Sequence, residues 1–308
     1  MIIISDFGTD VDDAQAIAYL CSNYDKKAAN IKGIITVGDI PRVRAQSLEY
    51  FLSSIGKNIP IVIGSAFNLQ KYPVSEKDSV QMVDNYLKDH LLNGVPFEFS
   101  LLNYLKANCH KHKRMIVPVS PIDFIEKQII RHKGKLEIVI LAQATDFARY
   151  IALYPNNIKY IKTIAIQGQI YTTPTGMEPN FESYNLRKDS LAAKIIIALQ
   201  KQIPMTIVGK YAAYKAQFSR EDMTSMGGYI SKAADMGIKS LFQRDSILFG
   251  KIFRCNNIAT LDRGNNPYDL ITAMSITDKK LFTPIIYYNG KVEHKIIGND
   301  SINTCIRD

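Results

Sequence analysis

Paired cysteines, leader-like segments and long apolar runs are what this chain is short of. Its four cysteines, Cys21, Cys109, Cys255 and Cys305, lie far apart and form no Cys-x-x-Cys pair. That spacing argues against a zinc site and against a disulfide framework. No apolar stretch approaches the roughly 20 residues that span a bilayer, so no membrane partner is expected. The first residues read as a strand, not as a basic segment followed by a long apolar one. No signal peptide is therefore expected, and a soluble cytoplasmic protein is the default. There is also no internal repeat, low-complexity tract or compositional break. The chain reads as one domain over residues 1–308.

Lys and Arg number 38 against 29 Asp and Glu, and the apolar fraction is 46%. The apolar share is ordinary for a globular protein with a sizeable core. A basic excess is compatible with an anionic partner, but the lysines are spread along the whole chain. The densest run, His110-Lys111-His112-Lys113-Arg114, precedes a strand-like segment and reads as a solvated loop. Nucleic acid is not an expected partner.

What is there is concentrated at the start. Ile2-Ile3-Ile4 runs into four aspartates, Asp6, Asp10, Asp12 and Asp13. A short β-branched run reads as a buried strand, and Gly8 lets the backbone turn after it. Ala14, Ile17, Leu20 and Cys21 then recur at helical spacing, which predicts a helix from Asp12 or Asp13. The acids thus sit where a strand ends and a helix begins, the usual place for a ligand in an open α/β sheet. Helix N–H groups can stabilise one or two of them, and a hard cation that prefers oxygen ligands would neutralise the rest. An isolated Asp-Asp pair is usually an N-cap and a solvated turn. Four acids against an isoleucine strand favour a site.

Downstream, strand-like runs alternate with helical patterns. Ile34 to Val37, Ile59 to Ile63, Met115 to Val119, Leu136 to Leu141, Ile161 to Ile166 and Met205 to Val208 read as strands. Helices are expected from Pro41, over 78–92 and 98–108, from Pro121, through Tyr150 and Leu153, over Ser190 to Leu199 and across 220–247. Residues 65–80 and 167–184 read as loops, and Asn289-Gly290 as a type I′ hairpin turn. Such alternation implies parallel strands with crossover helices on both faces. The expected fold is α/β: one doubly wound, mostly parallel sheet flanked by helices, with a small antiparallel C-terminal hairpin.

Asp6-Phe7-Gly8-Thr9-Asp10-Val11-Asp12-Asp13 resembles the N-terminal motif of the inosine-uridine-preferring nucleoside hydrolases. It matches the longer variant of that motif, Asp-x-Asp-x-Gly-Thr-Asp-x-Asp-Asp, from the second acid onward, with Ile4 in place of the first. Thr36-Val37-Gly38-Asp39 is similar to the family's Thr-x-Gly-Asn. Ala142-Gln143-Ala144-Thr145-Asp146-Phe147-Ala148 resembles Gly-Pro-Leu-Thr-Asn-Leu-Ala. Ser183-Tyr184-Asn185-Leu186-Arg187-Lys188-Asp189 resembles Glu-Phe-Asn-x-x-x-Asp, with Glu182 one residue early for the family's glutamate. Asn265-Asn266-Pro267 stands where the family has His-Asp-Pro, followed by Leu281-Phe282. Each match alone is a plain turn by composition. Together they keep the family's order along nearly the whole chain.

The resemblance implies a hydrolase of the N-glycosidic bond of ribonucleosides that binds calcium. The matching metal ligands are Asp6, Asp13, the Thr145 carbonyl and the Asn266 side chain. A water held between the cation and Asp6 would be activated by Asp6 as general base. Asp12, Asp39, Asn185, Glu182 and Asn265 fall at substrate-binding positions. Asp10, in the two-residue extension, has no assigned role. Asn266 in place of an acid removes one negative charge from the metal site, and Asn265 in place of the histidine leaves no leaving-group acid. None of the five histidines falls at a site position. Tyr211, Tyr214 and Tyr229 lie near segments that line the base pocket in relatives, but singly read as core or surface aromatics. The resemblance also implies a homodimer or homotetramer. Two other readings compete: a ribose-binding relative with little turnover, and a haloacid-dehalogenase-like phosphatase. The second would need an acid where Gly8 stands.

Overall fold

Ile2, Ile3 and Ile4 have no solvent exposure, because the strand they form, β1 (Ile2–Ser5), lies between two others. The computed structural model describes residues 1–8, 11–25, 29–71, 91–92, 95–216 and 266–298. After β1 come helix α1 (Asp12–Asp25), β2 (Gly33–Thr36), α2 (Pro41–Ser54), β3 (Ile61–Ile63), β4 (Leu91–Leu92), β5 (Val95–Pro96) and α3 (Phe97–Asn108). Then follow α4 (Pro121–Arg131), β6 (Leu136–Ile140), α5 (Thr145–Leu153), β7 (Ile161–Gln167), β8 (Ile170–Thr173), β9 (Gly176–Pro179), α6 (Tyr184–Lys188) and α7 (Ser190–Ala198). The last are β10 (Met205–Val208), α8 (Lys210–Lys215), α9 (Tyr268–Thr277), β11 (Ile285–Asn289) and β12 (Val292–Ile297).

Eight strands make one sheet in the order β11-β12-β10-β7-β6-β1-β2-β3. Every neighbouring pair in it is parallel except β11 with β12. Successive side chains of a strand point to opposite faces, and the core divides accordingly. Ile2, Ile4, Ile138 and Ile140 pack with Ile125 and Ile129 of α4, Phe147 of α5 and Ile196 of α7. Ile3, Ile34 and Val139 pack on the other face with Ile17 and Leu20 of α1, Leu48 and Leu52 of α2, and Leu101 of α3. Each such side chain contributes about 1.5–3 kcal/mol of burial. The expected doubly wound α/β architecture is the one observed. Parallel strands bring the ends of β1, β2, β6, β7 and β10 to one edge of the sheet.

Three local differences have physical causes. Met115 to Val119 is not a strand; only Ile116 forms a bridge, to Ile61. The N–H groups of Met115 and Ile116 donate instead to Glu49 Oε1 of α2, at 2.6 and 3.0 Å, and Pro118 has no N–H to offer. The expected loop over 167–184 contains the antiparallel pair β8–β9. The C-terminal hairpin turns on Gly290-Lys291, since Asn289 pairs with Val292. Gly290 takes the positive φ of 65° at the first turn position. The helix expected over 220–247 lies outside the described residues, as does that over 78–92 except for its last two, Leu91 and Leu92, which form strand β4 instead.

Candidate active site

Gly8, with φ of 95°, turns the chain from β1 towards α1. The Ser5 hydroxyl, at the end of β1, donates to Asp13 Oδ1 and accepts from the Phe7 N–H at 3.1 Å. From α2, the buried Arg44 guanidinium donates to the carbonyls of Asp6 and Phe7. A cation thus braces the acidic turn from beneath. Asp12 Oδ1 accepts from the Asp13 N–H at 3.0 Å, and its Oδ2 from the Asp269 N–H at 3.3 Å. That second bond joins the first turns of α1 and α9, whose positive ends favour carboxylates.

Asp12, Asp13 and Asp269 are at most 4% exposed. Each offers a carboxylate oxygen, and these oxygens lie within 4.8 Å of one another. Three acids so close disfavour each other's charge unless a cation compensates. A buried, oxygen-only set suits a hard divalent ion of the calcium type, so the residues present fit the implied metal.

The cluster floors a pocket of about 250 Å³ whose walls also include Asp6, Glu182 and Asn185. The Asn185 side-chain amide donates to the Leu141 carbonyl at 2.6 Å and to Gln167 Oε1 at 2.8 Å. With both amide hydrogens engaged, its oxygen remains as an acceptor. Lys210, Tyr214 and Tyr268 form another part of the wall. Lys210 Nζ is 3.6 Å from Glu182, and the Tyr214 and Tyr268 ring centroids are 6.1 Å apart. Burial first, then the hydrogen bond with Tyr214, raises the Tyr268 phenol above its ordinary value and keeps it protonated.

Of the residues singled out from sequence, Asp6, Asp12, Asp13, Glu182 and Asn185 meet in this pocket. Asp6 lines it, but the close carboxylate triad is Asp12, Asp13 and Asp269. Asp39 is not on the wall; it pairs with Lys188 at 3.1 Å. Thr145 is buried and is not among the wall residues. It is the first residue of α5. Its hydroxyl donates to Asp189 Oδ2 at 2.7 Å, and the residue of that turn on the pocket wall is Leu141. Asn266 is likewise not among the wall residues. It lies before α9, ahead of Pro267, and its carbonyl accepts from the Tyr268 N–H at 2.9 Å. The carboxylate this segment supplies is Asp269. Asn265, Asp10 and Tyr229 lie outside the described residues.

Sequence reasoning missed Asp269, Arg44, Lys210 and Tyr268. Two left a signal. Arg44 stands in helical phase with Leu48 and Leu52, on the buried face of α2. Asp269 opens an apolar helix, where an acid is either a first-turn partner or a ligand. Lys210 and Tyr268 left none.

The fold and the cluster define the class: a doubly wound α/β protein with a metal-competent carboxylate pocket at the carboxyl edge of its sheet. Residues 1–302 match the model of the inosine-uridine preferring nucleoside hydrolase family, and the chain belongs to that family. No curated protein matches. Among solved structures it is similar to the effector protein XOO4466, with TM-score 0.68 and 18% identity over 96% of this chain and 87% of that one. It is also similar to the type III effector XopQ complexed with adenosine diphosphate ribose, with TM-score 0.67 and 18% identity over 96% and 86%. A purine-preferring ribonucleoside hydrolase from Gardnerella vaginalis gives TM-score 0.63 and 17% identity over 97% and 88%.

Proposed function

We propose that the protein hydrolyses the N-glycosidic bond of a ribonucleoside, releasing ribose and base. The observation that carries this reading is the buried triad Asp12, Asp13 and Asp269 under a pocket that also holds Asp6 and Asn185. The triad would hold a calcium ion, with Asp6 beside it. Bound there, calcium would supply positive charge next to the ribose hydroxyls and favour ionisation of a water. Asp6 accepts the proton of that water as general base. Asn185 and Glu182 accept from ribose hydroxyls and fix the anomeric carbon opposite the water. Lys210, Tyr214 and Tyr268 face the remaining space, where a base or a further substituent would lie. The histidine of the family pattern is absent, so the departing base takes its proton from another donor. By analogy with the family, the assembly is a homo-oligomer; a single monomer-sized species in sedimentation at micromolar concentration would refute that.

The test is ribose release over purine, pyrimidine and modified nucleosides, with calcium and with chelator. Hydrolysis that needs calcium is the expected result; hydrolysis that survives complete metal removal would sink the mechanism. A second reading, ribosyl binding with little turnover, is favoured by the likeness to two effectors, one of them solved with adenosine diphosphate ribose. That compound belongs in the panel. Saturable binding without product from any member would establish the second reading over the first.

A further inference from the structure

A second cavity, of about 300 Å³, opens at the opposite edge of the sheet from the carboxylate triad. It lies at the amino ends of β7, β10 and β12 and shares no residue with the first pocket. The register puts Ala165, Thr206 and Lys295 side by side on one face of the sheet. Higher on that face, Val208 and Ile297 pack against Ile271 of α9. The helix ends at Thr277, and Ile276 in its last turn and Lys279 just beyond it form the facing wall. On β11 the partners of Lys295 and Glu293 are Ile286 and Tyr288, 41% and 61% exposed, which continue the same face with apolar surface.

Charge in this cavity is not balanced. Its walls carry Lys162, Lys279 and Lys295 against Glu137 and Glu293. Glu137 is paired with Lys162 at 2.9 Å, and Glu293 accepts from the Tyr288 hydroxyl at 3.3 Å. Lys279 and Lys295 have no ion-pair partner among the described residues. Two ammonium groups from separate elements thus flank an apolar surface that includes Ala165 and Ile276. A concave, largely apolar surface with a few convergent polar groups is the general form of a small-ligand site. Ammonium groups have donors only, so the group they receive must bring acceptors and negative charge. A phosphate does so, with oxygens enough for both lysines and the Thr206 hydroxyl. We infer that the cavity is a second binding site, for a phosphomonoester with a ring-bearing body of mononucleotide size. Its phosphate lies on Lys279 and Lys295, and its ring against Ile276. Neither the triad nor turnover enters into binding there.

Calorimetric titration of the full chain with adenosine monophosphate, in chelator, is the test. Chelation leaves the triad without a cation, and adenosine is the control that lacks the phosphate. Adenosine monophosphate should bind saturably, and adenosine roughly tenfold or more weakly, the range for hydrogen bonds to charged groups. Lys279→Gln and Lys295→Gln should each weaken binding of the nucleotide roughly three- to tenfold, and the double variant should lose it. Lys280→Gln, beside Lys279 but off the cavity wall, should leave it unchanged. Inorganic phosphate should displace the nucleotide from the wild-type protein. Binding that persists in the double variant would place the nucleotide elsewhere and overturn the proposal. Adenosine binding as tightly as its monophosphate, an equal loss in Lys280→Gln, or no saturation at millimolar nucleotide would overturn it as well. Each outcome is read without turnover, so a failure here leaves the hydrolase reading untouched.

Discussion

Asp269 and Asn266 are three positions apart, and they offer different ligands: Asp269 a charged carboxylate, Asn266 a neutral amide oxygen. Asp269 is buried within 4.8 Å, oxygen to oxygen, of Asp12 and Asp13. Asn266 is engaged with Tyr268. Ligand charge is a main determinant of calcium affinity at oxygen sites. Asp269→Asn should therefore weaken calcium binding by roughly tenfold or more, whereas Asn266→Ala should change it little. Calorimetric titration of both variants decides the matter; equal losses would return the ligand role to Asn266. Asp6 makes a different prediction. Asp6→Asn keeps an oxygen but cannot accept a proton, and loss of a positioned base costs about 10²–10⁴-fold in rate. It should fold normally, lose nearly all turnover and still bind ribosyl ligands once calcium is raised. A variant with full activity would remove Asp6 from the base role.

Helix α2 contributes more than an apolar face. Its Glu49 accepts from the Met115 and Ile116 N–H groups and from His112 Nε2 at 2.8 Å. Burial alone would raise this carboxyl, but the two backbone hydrogen bonds and His112 outweigh it and hold it below its ordinary 4.5. A group with a depressed folded pKa stabilises fully above the unfolded value and less as pH falls through the folded one. Glu49→Gln should thus lower stability by about 1–3 kcal/mol at neutral pH, and the gap from wild type should shrink below about pH 4.5. Urea unfolding at several pH values measures it; a gap that widens in acid contradicts the assignment. Met115 to Val119 has a strand's composition, and the competition from Glu49, 66 positions away from Met115, cannot be seen locally. By contrast, β1 was legible because its isoleucines are buried on both faces by local pattern alone. The β8–β9 hairpin was hidden by four-residue strands in which only three of the eight residues are buried. The same distinction governs the site. Asp12 and Asp13 share one turn and could be read together, whereas Asp269 meets Asp12 across 257 positions. Thr145 matched by pattern, and the hydrogen bond of its hydroxyl to Asp189, 44 positions on, could not be read locally.

At the scale of the molecule, the triad links metal binding to folding. Three buried carboxylates without a cation oppose the compact state, because the unfolded chain separates and hydrates them. A ligand that binds only the folded state stabilises it by RT ln(1 + [L]/Kd), about 2.7 kcal/mol at a hundredfold excess over Kd. With an unfolding entropy of about 2.1 cal/mol/K per residue, that corresponds to roughly 4 °C in Tm for a chain of this length. Calcium should therefore raise Tm by about this amount over the chelated protein. Magnesium should do less, since its smaller shell demands near-octahedral geometry and releases water reluctantly. Asp269→Asn separates the two contributions. It relieves repulsion without the ion, so the chelated variant should melt at or above the chelated wild type. It also loses a charged ligand, so its response to the same calcium concentration should be smaller. Scanning calorimetry of both proteins, with chelator and with calcium, tests both halves. A wild type indifferent to calcium, or a variant that melts well below it in chelator while responding fully to the ion, would show that the triad is held by hydrogen bonds alone.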